Sequence, residues 1–281
     1  MAVIVSRDGT EIYADAAGSP ARPAVVFVHG FSLAASAFDA LFADPGYRDS
    51  LYLIRYDLRG HGRSGKPQHA EAYSSVRFAE DFDAVVRAFG VDRPFLAGWS
   101  LGGPVAADVY AAYGHGRIAG LVLLASFPWV GPVLFGPHSP FTTVYCPAIT
   151  QDTDVTLALA TTAAFVDGIT KDPNALHFST RMAWTGLSVL ISPAVKALFL
   201  ARTQDPARLI AEGAPDLPVL IIHGTADGLD GHIVEKEVRK VFANVTIRWL
   251  DTGHTPFLEA FEPTRSEILR FVRTVVSPTN Q

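Results

Sequence analysis

A serine lies in the middle of the pentapeptide Gly98-Trp99-Ser100-Leu101-Gly102, between the apolar run 94–97 and a helix predicted to begin near Gly103-Pro104. A strand, a sharp turn and a helix in that order would project the serine hydroxyl from the end of a sheet. Glycines on either side would let the neighbouring backbone approach the turn closely. The positive end of the helix would favour an oxyanion beside the serine. The spacing therefore predicts that Ser100 is a nucleophile.

A serine hydroxyl is a poor nucleophile and needs a base to activate it. The chain has nine histidines, and His254 differs from the others in its position, a short loop directly after the predicted strand 245–250. A loop after the last strand can bring an imidazole over the strand end that carries Ser100. We therefore assign His254 as the base.

A catalytic histidine needs a carboxylate to orient it. Asp227 follows the predicted strand 219–222 within a short loop, and we assign the role to it. Asp230 is a nearby alternative. Asp251 lies three residues before His254, but its place at a strand end is typical of a carboxylate that stabilises a loop or caps a helix.

Strands that alternate with helices must position these side chains. Continuous apolar runs predict buried strands, and apolar residues three and four apart predict helices packed on them. The predicted strands are 3–5, 11–14, 24–28, 51–55, 95–97, 120–125, 219–222 and 245–250, and the predicted helices are 75–89, one after Ser100, 231–242 and 262–275. This order indicates a mainly parallel sheet with helices on both faces, whose ligands bind beyond the carboxyl ends of the strands. The three catalytic candidates each follow a strand, so we expect them to converge there.

The alternation stops in the middle of the chain. A loop rich in proline, glycine and aromatic residues spans 127–147, and helical patterns follow at 154–166, 175–186, 193–203 and 206–212. We therefore predict a core domain formed by residues 1–126 and 216–281, interrupted by a helical insertion at 127–215.

Composition excludes several classes of protein. The chain has 281 residues, 49% of them hydrophobic, and a net charge of −5 that gives no electrostatic basis for nucleic-acid binding. A single cysteine, Cys146, excludes an intrachain disulfide and fits a reducing compartment. The N-terminus lacks a signal-peptide pattern, and no apolar run reaches the roughly 20 residues of a membrane span. We expect a cytoplasmic protein with no membrane span, no metal and no cofactor. The oligomeric state is left open.

Five motifs in chain order resemble the α/β-hydrolase superfamily. They are His29-Gly30-Phe31, Tyr56-Asp57-Leu58-Arg59-Gly60-His61-Gly62-Arg63-Ser64, Gly98-Trp99-Ser100-Leu101-Gly102-Gly103, His223-Gly224-Thr225-Ala226-Asp227 and Gly253-His254. The resemblance covers almost the whole chain outside the insertion and is closest to serine esterases, lactonases and cofactor-free perhydrolases, also called non-haem haloperoxidases. It implies an α/β-hydrolase fold with a mostly parallel eight-stranded sheet, and it makes the insertion a helical cap, or lid. Ser100, Asp227 and His254 match the family's order of serine, acid and histidine.

The resemblance also implies an oxyanion hole. The family forms it from the backbone N–H after the nucleophile, here Leu101, and one from the loop after the predicted strand 24–28, here Phe31. His29 is assigned a structural role in that loop, and so is the stretch 59–64. Epoxide hydrolases and haloalkane dehalogenases carry an aspartate nucleophile, and carbon–carbon bond hydrolases usually have Trp after the histidine. This chain has Ser100 and Thr255 at those positions, so both activities are disfavoured.

The insertion is rich in aromatic side chains, and a cap that closes over the sheet edge needs an apolar underside. We predict an apolar substrate pocket lined by residues of the core and of the insertion, namely Phe31, Trp99, Trp129, Tyr145, Met182, Trp184 and Phe257.

These residues predict a serine hydrolase that cleaves carboxylic esters or lactones of apolar small molecules through an acyl-enzyme. Two alternatives stay open. In the first, peroxide replaces water, and the protein is a perhydrolase. In the second, the protein is a non-catalytic receptor on the same fold, which the presence of all three residues disfavours.

Overall fold

The computed structural model describes residues 2–133, 141–229 and 231–277. They contain an eight-stranded sheet made of β1 (Ala2–Val5), β2 (Glu11–Ala17), β3 (Ala24–Val28), β4 (Tyr52–Tyr56), β5 (Phe95–Trp99), β6 (Gly120–Leu124), β7 (Val219–Gly224) and β8 (Val245–Leu250). The strand order is β1-β2-β4-β3-β5-β6-β7-β8. At one edge β2 pairs antiparallel with both β1 and β4, and all the other neighbours are parallel. The predicted α/β-hydrolase fold, with its mostly parallel eight-stranded sheet, is confirmed.

Burial explains why the central strands could be predicted from the sequence. Every residue of β5, β6 and β7 is buried, and four of the five residues of β3 are. A strand covered by helices on both faces needs apolar side chains at each position, so it forms a continuous apolar run. The edge strand β8 is half-buried along its whole length.

The helices lie between and beyond these strands. They are α1 (Asp39–Ala43), α2 (Pro45–Ser50), α3 (Ser75–Ala88), α4 (Val105–Tyr113), α5 (Cys146–Ile149), α6 (Val155–Asp167), α7 (Phe178–Val189), α8 (Pro193–Leu200), α9 (Gly231–Val241), α10 (Pro256–Glu259) and α11 (Phe261–Val276). Short 3-10 turns form at Ala35–Phe38, Ala70–Tyr73, Ser100–Gly102 and Pro173–Ala175, and π-helical turns at Phe141–Tyr145 and Leu209–Gly213.

Three predicted helices differ from the structure. The pattern at 193–203 ends three residues early, as α8 (Pro193–Leu200). The pattern at 175–186 becomes a 3-10 turn followed by α7, because the His177 side chain accepts the N–H of Ser179 and caps a new helix start. The pattern at 206–212 becomes the π-helical turn Leu209–Gly213.

The segment between β6 and β7 contributes α5 to α8 and no strand among its described residues. It is tied to the core by Arg202, whose guanidinium donates to the buried Asp108 of α4 at 2.9 Å. The division into core and cap stays a prediction. Over residues 2–133, 141–229 and 231–277, no single helix has the length and apolar character of a membrane span. The bent pair α7 and α8, which meet at 84°, passes that test only as a pair.

Candidate active site

Ser100 occupies a strained turn at the end of β5. Its φ of 52° lies in the left-handed region, which residues other than glycine rarely adopt. The flanking glycines allow the close approaches that the turn requires. A Cβ on Gly98 would lie 2.3 Å from the Gly103 Cα, and one on Gly102 would lie 2.2 Å from the Val28 carbonyl oxygen. The Gly-x-Ser-x-Gly spacing is therefore a steric necessity of this turn.

A second serine supports the turn from β6. The Ser126 hydroxyl donates to the Ser100 carbonyl oxygen. It also fills the space beside Gly103, where a Cβ would lie 2.1 Å from its Oγ. Sequence analysis gave Ser126 no role, and a lone serine after a strand carries no signal for one.

His254 and Asp227 come together although 27 residues separate them. The His254 Nδ1 lies 2.9 Å from both carboxylate oxygens of Asp227. A carboxylate only accepts hydrogen bonds, so Nδ1 carries the proton and the neutral ring keeps its lone pair on Nε2. That tautomer is the one a general base requires.

A buried network holds the Asp227 side chain, which is 2% exposed. Oδ1 accepts the Leu229 N–H at 2.9 Å, and Oδ2 lies 3.2 Å from the His223 Nε2. Burial alone would raise the pKa of Asp227, but the two histidines stabilise its carboxylate and hold the pKa below its usual range. Asp227 is therefore ionised throughout the neutral range.

His223 is a contact of Asp227 that sequence analysis missed. Its Nε2 lies between two acceptors, the Asp227 carboxylate and the Leu229 carbonyl oxygen at 3.1 Å, so the proton must sit on Nε2. The ring is buried, and its Nδ1 has no partner among the described residues. The signal was present as the four-residue spacing from His223 to Asp227 across a strand end.

Glu259 holds the loop that carries His254. Its carboxylate accepts the N–H of Gly253 at 3.1 Å, the hydroxyl of Thr255 at 2.7 Å and the N–H of Lys171 at 2.8 Å. The His254 N–H itself donates to the Ile169 carbonyl oxygen at 2.9 Å. The insertion therefore fixes the histidine loop through backbone hydrogen bonds, which sequence analysis did not predict.

The loop after β3 lies directly against Ser100. A Cβ on Gly30 would lie 3.0 Å from the Ser100 Cβ, so the next residue, Phe31, lies near Ser100. Leu101 lies beside Ser100 because it follows it in the chain. His29 is fully buried; its Nε2 accepts the Leu58 N–H at 2.9 Å and its Nδ1 donates to the Gly30 carbonyl oxygen at 2.7 Å. Both ring nitrogens are thus occupied, and the ring joins this loop to the residues that follow β4.

Trp99 links the nucleophile turn to the histidine loop, because its indole N–H donates to the His254 carbonyl oxygen at 2.7 Å. Among the described residues, no hydrogen bond joins the Ser100 hydroxyl to His254. Catalytic hydrogen bonds of this kind are often long before substrate binds.

The predicted pocket residues fall into separate groups. Trp99 packs against Trp184 and Phe257, with ring centroids 5.9 and 5.0 Å away. Phe31 instead faces further aromatic rings of the insertion, namely Phe141, Phe165 and Phe199. Trp129 stacks on Phe242, Tyr145 packs on Phe165, and Met182 is 42% exposed.

The two alternative acids are placed differently. The Asp251 side chain is largely exposed and pairs with Lys171 at 2.6 Å, so it stabilises the loop at the end of β8. Asp230 lies outside the described residues. Within the described ranges, no three metal-ligating side chains gather in one place.

Comparison with known proteins identifies the family. The family model described as "Alpha/beta hydrolase family" matches residues 25–266. The chain belongs to the α/β-hydrolase family. A non-heme haloperoxidase from Rhodococcus erythropolis is 35% identical over 131 residues, and the bifunctional esterase/perhydrolase DCH from Acinetobacter calcoaceticus is 31% identical over 131 residues. Each alignment covers 46% of this chain and 45% of the relative, so the chain spans about half the length of the curated relatives it matches.

The solved structure of the esterase RhEst1 from Rhodococcus sp. ECU1013 is similar over 98% of both chains, with a TM-score of 0.84 and 29% identity. These matches place the chain in the esterase- and perhydrolase-like branch of the family.

Proposed function

We propose that this protein hydrolyses carboxylic esters or lactones of apolar small molecules through an acyl-enzyme. The observation that supports the proposal is that Asp227 holds the His254 imidazole in the tautomer that a general base requires. Trp99, the residue before Ser100, donates a hydrogen bond to the His254 carbonyl oxygen and so links the histidine loop to the serine turn. The similarity to esterases over the whole chain supports it.

In the proposed mechanism, the Ser100 hydroxyl attacks the substrate carbonyl while His254 takes its proton. The N–H groups of Phe31 and Leu101 stabilise the tetrahedral oxyanion. The proton then passes from His254 to the leaving alkoxide, and Asp227 stabilises the imidazolium while it exists. Water activated by His254 finally hydrolyses the acyl-enzyme and frees the serine.

The proposal assigns residues 127–215 as a cap that selects the substrate. The aromatic rings of this segment face Trp99 and Phe31, which flank the proposed oxyanion hole. A pocket of this composition would bind an apolar chain next to the reacting carbonyl.

A fluorophosphonate probe followed by intact-mass analysis tests the nucleophile, with p-nitrophenyl butyrate turnover measured on the same sample. We expect one adduct that is lost in Ser100→Ala, together with a fall in kcat of several orders of magnitude. Ser277→Ala removes an exposed serine and should change neither result. Turnover near the wild-type rate in Ser100→Ala would refute the mechanism. An adduct without turnover would indicate a reactive serine that serves a narrower substrate, or a receptor.

Perhydrolysis is a second candidate, since two relatives are named a haloperoxidase and an esterase/perhydrolase. Here hydrogen peroxide replaces water, so acetate and peroxide would give peracetate and water on the same serine. Peracid formation that disappears in Ser100→Ala would support this activity.

A further inference from the structure

Lys196 of α8 is a buried lysine that pairs with none of the described residues. The residue is 3% exposed, and it makes no hydrogen bond or ion pair with any described residue. The stretch 134–140, in the same insertion, contains no aspartate or glutamate that could pair with it. Lysine is almost never buried to this degree unless its charge is paired, so this position needs an explanation.

The helix that carries Lys196 packs across the loops beside Ser100. Val195 lies against Gly60, where a Cβ would come 3.1 Å from its Cγ1. Phe199 is three residues beyond Lys196 and so shares its helix face. Its ring lies 5.7 Å from that of Phe31 and 4.6 Å from that of His61. The face of α8 that carries Lys196 therefore lies beside the loop that provides the proposed oxyanion donor.

A second unpartnered nitrogen lies in the same region. His61 is fully buried; its Nδ1 donates to the Arg59 carbonyl oxygen at 3.1 Å, and its Nε2 has no partner among the described residues. Burial lowers the pKa of His61, and the charges of His29, Lys66 and Lys196, in that order, lower it further. The Lys196 ammonium group is thus close enough to His61 for their charges to interact.

Burial lowers the pKa of Lys196 to about 8, with no carboxylate to raise it again. The ammonium form still predominates at neutral pH. A positive charge held in this way gains stability from an anion placed beside it, more than an exposed lysine would.

We propose that Lys196 binds a carboxylate on the substrate, so that the preferred substrate is an ester or lactone with an apolar body and one free carboxylate. This inference rests on the proposed function and narrows its substrate class. The apolar body would lie against the aromatic rings around Phe31, and the carboxylate would pair with Lys196.

Two p-nitrophenyl esters test the proposal, the hydrogen glutarate with a free carboxylate and the neutral hexanoate. We expect Lys196→Met to lower kcat/KM for the glutarate at least about tenfold while the hexanoate changes less than about threefold. Lys196→Arg should restore part of the preference, because it restores the charge. Lys240→Met removes an exposed lysine of α9 and should leave the ratio of the two esters unchanged.

A loss of folded protein should not account for a change in the ratio of the two esters. Methionine has a similar stem and removes a buried unpaired charge, so Lys196→Met should unfold at the same temperature as the wild type or higher. An unchanged ratio of the two esters in Lys196→Met would overturn the proposal.

A binding measurement separates this inference from the proposed function. If the wild type hydrolyses neither ester, the proposed function fails, and glutarate itself is used as the ligand in a thermal-shift titration. Stabilisation of the wild type by glutarate that is lost in Lys196→Met but kept in Lys240→Met would support the carboxylate site. Equal shifts in all three proteins would refute it.

Discussion

Replacement of Asp227 by asparagine tests the site with almost no change of volume. Both carboxylate oxygens accept hydrogen bonds, Oδ1 from Leu229 and Oδ2 from His223, and both lie 2.9 Å from the His254 Nδ1. An asparagine amide must present its NH2 group on one side or the other. On one side the NH2 group would face the Leu229 N–H, and on the other it would face the His223 Nε2–H. The NH2 group would also donate to the His254 Nδ1 and so favour the tautomer with the proton on Nε2.

The magnitude follows from these contacts. A histidine held in the wrong tautomer cannot accept the serine proton, and the stabilisation of the imidazolium by a carboxylate is lost as well. Together these effects are expected to lower kcat about 10³- to 10⁴-fold, or about 4–5 kcal/mol in the barrier. A buried donor left unpaired costs about 1–3 kcal/mol, so Asp227→Asn should also unfold a few degrees lower.

The assay is kcat and KM for p-nitrophenyl butyrate, with thermal unfolding measured on each variant. Asp230→Asn is the matched control, since the same change is made three residues away at the alternative acid. We expect the control to keep its activity and Asp227→Asn to lose kcat with little change in KM. Asp227→Asn activity within tenfold of the wild type, or a larger loss in Asp230→Asn, would refute the reasoning.

Three further predictions concern stability. Gly98→Ala should lower the free energy of unfolding, measured by urea titration, by at least about 1–3 kcal/mol, because its Cβ would meet the Gly103 backbone at 2.3 Å. The control Gly186→Ala in α7 meets nothing within 4 Å and should raise the free energy of unfolding by up to about 1 kcal/mol. An unchanged stability of Gly98→Ala would contradict the steric argument. Arg202→Met should lower the free energy of unfolding by about 3 kcal/mol in the same titration, because the fully buried Asp108 loses its cation. Ser75 and Gln204 still donate hydrogen bonds to that carboxylate. An unchanged free energy of unfolding would show that the ion pair does not join insertion and core. Folding lowers the pKa of Asp227, so the stabilisation from its carboxylate is fully present above its ordinary pKa of about 3.9 and is lost as the pH falls below that value. The free energy of unfolding of the wild type should therefore fall more steeply below about pH 4 than that of Asp227→Asn. Parallel pH curves for the two proteins would contradict this argument.

The sequence predicted the fold well where burial dictates residue type. β3 and β8 begin and end where the apolar runs predict, and α3 ends one residue before its predicted end. It predicted boundaries less well in the insertion, where side-chain caps such as His177 decide where helices start. A cap depends on one hydrogen bond, which a periodic pattern does not encode.

The candidate site divides in the same way. Ser100, Asp227 and His254 could be named from sequence because each follows a strand, and the ends of parallel strands meet at one edge. The contacts of His223 with Asp227 and of Glu259 with the His254 loop were missed. The spacing of His223 and Asp227 was compatible with a contact, but only the structure shows in which directions these side chains point. The predicted pocket stays a prediction, and the structure shows only that Trp99 packs on Trp184 whereas Trp129 stacks on Phe242.

By itself, the sequence determined the parallel sheet, the serine turn and the order of the three catalytic candidates, because strand burial, glycine sterics and chain order are local or periodic properties. Only the tertiary structure decided that His223 and Leu229 share the Asp227 carboxylate, that the insertion fixes the histidine loop, and that Lys196 is buried with no counter-charge from the described residues. The first depends on the directions of neighbouring side chains, the second joins residues tens of positions apart, and the third depends on what packs around a single side chain. They arise from the packing of whole elements against one another, which no stretch of sequence contains.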